Sequence, residues 1–160
     1  KEEQLRTESY QELTHLSGIK DREILDRLLD TGITASTLVA LINVPLVLIA
    51  WADGVMDPVE RSSILKALEN QGLDAKHPSY DLMKFWLKSP PGTKLFETWK
   101  AYVQGLKAAM DASSFEQLKL DILHRTLTVA ESAGGFLGLG SKISTSEREQ
   151  YRQLEEAFAS

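Results

Sequence analysis

The chain has 160 residues, a formal net charge of −5 and no cysteine. Its length suits one compact domain, and its near-average composition excludes collagen-like, low-complexity and wholly disordered classes. The lack of cysteine excludes disulfide scaffolds, thiolate zinc fingers and cysteine nucleophiles. The acidic balance argues against nucleic-acid binding, which needs clustered Lys and Arg. We therefore expect an acidic cytoplasmic domain.

Apolar residues recur at helical period along almost the whole chain, and no segment alternates as a strand would. Residues 1–30 carry mixed charge and predict a solvated helical extension that ends at Thr31-Gly32. The uncharged run 33–52 is nominally long enough to span a bilayer, but its polar residues and Pro45 favour a buried helix bent at the proline. Further helices are expected from Asp57 to Gly72, from His77 to Pro90, over 95–110, from a Ser114 cap to Ala130, and over 144–158.

These elements predict an all-α fold, a single compact domain of seven to eight helices built from two similar helical hairpins. Residues 1–30 form the N-terminal extension in this prediction, and residues 31–160 form the domain proper. Five aromatic residues fall on the predicted apolar stripes and are expected in the core: Trp51, Phe85, Trp86, Phe96 and Trp99.

Two helix junctions in the sequence resemble each other. In the first, an apolar helix ends in residues 50–54 (AWADG), and residues 56–60 (MDPVE) open the next helix with a capping box. In the second, an apolar helix ends in residues 127–135 (LTVAESAGG), and residues 143–147 (ISTSE) provide a second capping box after an interruption. This similarity predicts a domain built from two related hairpins.

The strings AWADG and MDPVE resemble the signature of TerB-like proteins, an all-helical family associated with bacterial tellurite resistance. The resemblance covers the chain from about residue 40 onward. It implies that the Asp ending one helix and the Glu after the next cap bind a divalent metal in both halves. On this chain the implied ligands are Asp53 and Glu60 in the first half and Glu147 in the second.

The second half departs from that pattern. Gly134 occupies the position of the expected Asp, and residues 136–142 are inserted before the cap. Glu131, one helical turn before Gly134, is the nearby acid that could replace the missing ligand.

The acids themselves allow two interpretations. Asp53, Asp57 and Glu60 offer the oxygen ligands that Ca²⁺ and Mg²⁺ prefer, although their spacing is not that of an EF-hand. Three acids cannot complete a coordination shell, so Glu131 or Glu147 would have to come from the other hairpin. In the alternative, Asp57 and Glu60 cap their helix, which stabilises it by about 1 kcal/mol, and Asp53 is a solvated turn residue.

A glycine-rich loop, residues 134–140, is followed by Ser141-Lys142. It lacks the Gly-Lys-Ser/Thr order of a phosphate-binding loop and follows a predicted helix rather than a strand. Its apolar residues either tuck against the core or form an exposed tip that docks a protein partner or touches a membrane surface.

No nucleophile–base pair or cofactor fingerprint stands out, so we expect no enzymatic activity. Asp121 and His124 provide half of a di-iron motif whose second copy is missing from the sequence. The resemblance implies a non-catalytic module of a tellurite-resistance or stress-response system that binds a divalent metal. The alternative is a metal-free protein-interaction or membrane-surface module that uses the loop 134–140. Both interpretations expect a protein partner and no nucleic acid.

Overall fold

The computed structural model describes residues 2–52, 54–56, 58–132 and 145–159, and all regular structure in these ranges is helical. The helices are α1 (Glu2–Ser17), α2 (Arg22–Asp30), α3 (Val39–Ile42), α4 (Val44–Ala50), α5 (Pro58–Asn70), α6 (Pro78–Lys88), α7 (Gly92–Ala109), α8 (Ala112–Ser132) and α9 (Thr145–Ala159), with a 3-10 turn at Ala35–Thr37. The all-α prediction is confirmed. Over the described ranges there are nine α-helices instead of seven to eight.

One additional helix comes from the uncharged central run, which breaks completely at Asn43 into α3 and α4. Pro45 lies in the first turn of α4, where the backbone N–H that proline lacks would have no partner within the helix. In a helix that continued from α3, the proline ring would clash with the preceding turn. All seven residues of α4 are buried. Within the described ranges, no helix is long and apolar enough to cross a membrane.

The core is organised around α4, which packs against α6, α7, α8 and α9. The predicted stripe of α7 is buried from Leu95 through Leu106. Trp99 in this stripe is fully buried, and its ring meets Phe158 of α9 edge-on, with 5.3 Å between the ring centroids. This contact joins the predicted second hairpin to the middle of the chain.

The first two helices also contribute to the core, since Leu13 of α1 and Leu28 of α2 are fully buried. α2 packs along α7. On the outer side, the Tyr10 hydroxyl donates a hydrogen bond to the Asp26 carboxylate, and Arg6 forms an ion pair with the same carboxylate at 2.8 Å. These two donors hold the pKa of Asp26 below its ordinary value. The boundary at residue 30 between extension and domain stays a prediction.

Two local predictions were wrong. α8 is capped by Asp111 instead of Ser114, because the Asp111 carboxylate accepts hydrogen bonds from both the backbone N–H and the hydroxyl of Ser114 at 2.8 and 2.9 Å. Phe85 is 64% exposed and does not belong to the core. The buried stripe of α6 consists of Met83, Trp86 and Leu87, and Phe85 lies off that face.

Burial of Tyr102 makes stability depend on pH in the alkaline range. Desolvation raises the pKa of this phenol from 10.0 to about 12. As the pH rises above 10, the unfolded chain therefore releases the proton first, and stability that is fully present below pH 10 is lost up to about pH 12. We expect Tyr102 to account for a loss of roughly 2–3 kcal/mol over this window, measured by urea unfolding.

Tyr102→Phe should abolish that part of the pH dependence. The comparison variant is Tyr151→Phe, at a half-buried tyrosine of α9 whose pKa is raised less strongly by burial. It should remove a smaller part of the alkaline loss than Tyr102→Phe does. An unchanged alkaline profile in Tyr102→Phe would contradict the assignment.

Candidate functional site

The first junction begins where α4 ends at Ala50 and the chain turns through Gly54. Gly54 has a φ of +81° and donates its backbone N–H to the Trp51 carbonyl at 2.8 Å. An added Cβ at Gly54 would meet no atom within 4 Å, so a clash with neighbouring residues does not require glycine here. The left-handed backbone conformation alone disfavours a side chain. Met56 is buried, as an apolar residue before a helix cap is expected to be.

α5 begins at Pro58, as predicted, and Glu60 lies half-buried in its first turn. Two of the predicted ligands, Asp53 and Asp57, lie outside the described residues. Whether the Asp57 carboxylate caps α5 therefore stays a prediction.

The second junction joins α8, which continues to Ser132, to α9, which begins at Thr145. The Glu131 side chain lies outside the described residues, as do Ser144 and the whole loop 134–140. Glu147 lies in the first turn of α9 and is only 7% exposed. It is the one buried charged side chain in the described part of the chain.

The helices that carry the predicted ligands belong to one packed group. α5 and α4 each pack against α8, and α4 also packs against α9. Among the side chains that the structure describes, no three His, Asp or Glu residues lie close enough together to hold a metal ion. Of the five predicted ligands, only Glu60 and Glu147 have described side chains, so the complete ligand set stays a prediction.

Trp51 of the AWADG string has a structural role that the sequence interpretation missed. Its indole Nε1–H donates to the Trp86 carbonyl at 2.8 Å, and Arg61 Nε donates to the neighbouring Leu87 carbonyl at 3.1 Å. Both carbonyls belong to the last turn of α6, where backbone acceptors lack partners within the helix. Pro90 and Pro91 follow this helix end and have no backbone N–H with which to satisfy these carbonyls. The two prolines in the sequence therefore indicate that side chains must donate the hydrogen bonds.

The three histidines do not form a site in the described structure. His77 caps α6, accepting the Ser79 backbone N–H at its Nδ1 at 3.0 Å. His124 is exposed on α8, and Asp121 one turn earlier accepts a hydrogen bond from Gln117 at 2.9 Å. His124 is therefore a surface residue, as expected.

No protein-family model, curated protein or solved structure matches this chain. The resemblance to TerB-like proteins therefore stays a prediction based on the two junction motifs.

Proposed function

We propose that the chain is a non-catalytic helical module that binds a divalent cation of the Ca²⁺ or Mg²⁺ class at its two similar helix junctions. The supporting observation is Glu147, whose carboxylate is carried inward on a helix that otherwise exposes its charges. Burying a carboxylate is unfavourable unless hydrogen bonds or a cation compensate for the lost water. Oxygen ligands from carboxylates match this class of ion.

The packing of the helices is compatible with ligands from both junctions. Glu60 and Glu147 occupy the first turns of α5 and α9. α5 packs against α8, α9 packs against α4, and α4 and α8 pack against each other. In the proposed site Glu147 and Glu60 would be joined by Asp53, Asp57 and Glu131.

The burial of Glu147 also favours a second candidate, a capping box without metal. In a capping box the third residue of the helix accepts the backbone N–H of the cap residue, and the positive end of the helix dipole stabilises its charge. The module would then serve as a protein-interaction scaffold. The two candidates differ in one measurable property, which is cation binding.

The wider role in this proposal follows from the TerB-like resemblance. We propose that the module acts in the cytoplasm, in a tellurite-resistance or stress-response type system, together with a protein partner.

Calorimetric titration of chelator-treated protein with Ca²⁺, Mg²⁺, Mn²⁺ and Zn²⁺ tests the proposal. We expect Ca²⁺ or Mg²⁺ to bind, and Glu147→Gln or Asp53→Asn to weaken that binding roughly tenfold or more, since each removes a charged ligand. The matched control is Glu149→Gln, which changes an exposed carboxylate of the same helix that pairs with Arg152. If no ion binds, the capping candidate replaces the proposal. If an ion binds but both Glu147→Gln and Asp53→Asn bind it like the unmodified protein, the proposed ligand set is wrong.

A further inference from the structure

A shallow groove lies where α6 ends and the chain turns into α7. Its volume is about 270 Å³. Five apolar residues line it together with the polar Thr31, Ser89 and Lys94; the apolar ones are Phe85, Trp86, Pro90, Pro91 and Leu95. We refer to this surface as the Phe85 groove. This volume lies at the lower end of the range for small-molecule pockets, about 300–1,000 Å³, and it leaves room for one apolar side chain of a partner.

The groove has a wall that is fixed by hydrogen bonds. The carbonyls of Trp86 and Leu87 are held by Trp51 and Arg61, respectively. The Trp86 side chain is buried, whereas the neighbouring Phe85 ring is 64% exposed. A site that is already formed lowers the entropic cost of binding.

Lys94 lines the groove, and the sequence on both sides of the groove is basic on an otherwise acidic chain. Asp30, the acid next to the lining residue Thr31, is paired with Arg6 at 3.3 Å. Residues 82–96 contain Lys84, Lys88 and Lys94 and no Asp or Glu, whereas the whole chain carries −5. All three lysines are exposed. Asp81 and Glu97 lie just beyond the two ends of this stretch. The local charge is therefore complementary to an acidic ligand.

We propose that the Phe85 groove binds an acidic segment of a protein partner, which inserts one apolar side chain between Phe85 and the prolines. The carboxylates of that segment face Lys84, Lys88 and Lys94. An anionic membrane would be expected to meet several protruding apolar side chains, whereas Phe85 is the one large apolar residue of the groove that is exposed, and Trp86 and Leu95 are buried in its wall. Peptide recognition of this kind combines an apolar anchor with a charged rim.

Fluorescence anisotropy with short labelled peptides tests the proposal. The probe is a Glu-rich peptide with one central Phe, compared with versions that carry Ala in place of Phe or Lys in place of Glu. We expect the first peptide to bind and the other two to bind at least roughly tenfold more weakly. Binding should also weaken as salt is raised, because the lysines are exposed.

Two variants of the protein locate the binding surface. Phe85→Ser and the triple variant Lys84→Glu, Lys88→Glu, Lys94→Glu should each lose binding without a lower melting temperature, since all four side chains are exposed. Leu120→Ser is the matched control, at an apolar residue of α8 that is 52% exposed. Equal binding of all three peptides, or undiminished binding by Phe85→Ser, would overturn the proposal.

The same variants distinguish the other possible occupants. Binding to phosphatidylserine vesicles without binding to the Glu-rich peptide would replace the proposal with a membrane surface. A concentration-dependent dimer that Phe85→Ser dissociates would replace it with a second copy of the chain.

Discussion

Trp99→Ala is expected to lower the free energy of unfolding by about 3–5 kcal/mol. The indole is fully buried in α7 and packs against Phe158 of α9 and Phe96 of its own helix, with ring centroids 5.3 and 6.3 Å apart. Its removal leaves a cavity between helices that are already close-packed, and such cavities are only partly filled by relaxation. Urea unfolding measures the loss.

Phe85→Ala is the matched control for this prediction, because both aromatic residues were expected in the core from their sequence pattern. With 64% of Phe85 exposed, truncation should change the free energy of unfolding by no more than about 0.5 kcal/mol. Equal costs for Trp99→Ala and Phe85→Ala would contradict the packing described for α6 and α7.

Gly105→Val is expected to cost about 1–3 kcal/mol through overpacking. Gly105 lies on the buried face of α7, and a Cβ there would lie 2.9 Å from Ile19 Cδ1 and 3.1 Å from Ile24 Cδ1. Ile19 is 1% exposed, so its side chain has little space into which it can move. The helix propensity of valine is better than that of glycine, but only by a few tenths of a kcal/mol.

A double-mutant cycle with Ile19→Ala isolates this contact. Removing the Ile19 side chain beyond Cβ makes room for the valine, so Gly105→Val should cost at least about 1 kcal/mol less in that background. An identical cost in both backgrounds would show that the close approach of α7 to the turn between α1 and α2 does not determine the effect.

Local chemistry made much of the fold predictable. Gly32 and Gly72 end α2 and α5 as expected, and both adopt a positive φ that only glycine takes readily. Pro58 begins α5, and the apolar period of α7 matches its buried stripe. Each of these signals lies within a few residues of the feature that it determines.

The two wrong predictions, the cap of α8 and the burial of Phe85, each concern neighbouring residues that could take the same role. Both Asp111 and Ser114 are good caps, and only the backbone path determines that the carboxylate accepts the serine N–H. Phe85 lies between the buried residues Met83 and Trp86 in the sequence. Its apolar side chain alone does not show that its position faces away from the buried stripe. Helical spacing from Met83 to Trp86 and Leu87 would have identified it.

The candidate site was less predictable, because it depends on contacts between distant parts of the chain. The two junctions are separated by most of α5, by α6 and α7, and by most of α8, and the packing of α4 against α8 and α9 relates them. The burial of Glu147 is likewise a consequence of tertiary packing, since the sequence around it is strongly charged. The motif strings therefore indicate which acids could bind a cation, and spacing along the chain cannot show whether those acids lie close together.

Tb³⁺ luminescence tests the proposed cation site most directly. This ion takes oxygen ligands as Ca²⁺ does and emits when a nearby excited tryptophan transfers energy to it, and Trp51 lies two residues before Asp53. We predict sensitised emission that Ca²⁺ displaces, that Glu147→Gln abolishes and that Glu149→Gln leaves intact. Emission that is absent in the unmodified protein, or that persists unchanged in Glu147→Gln, would contradict a cation site at these junctions.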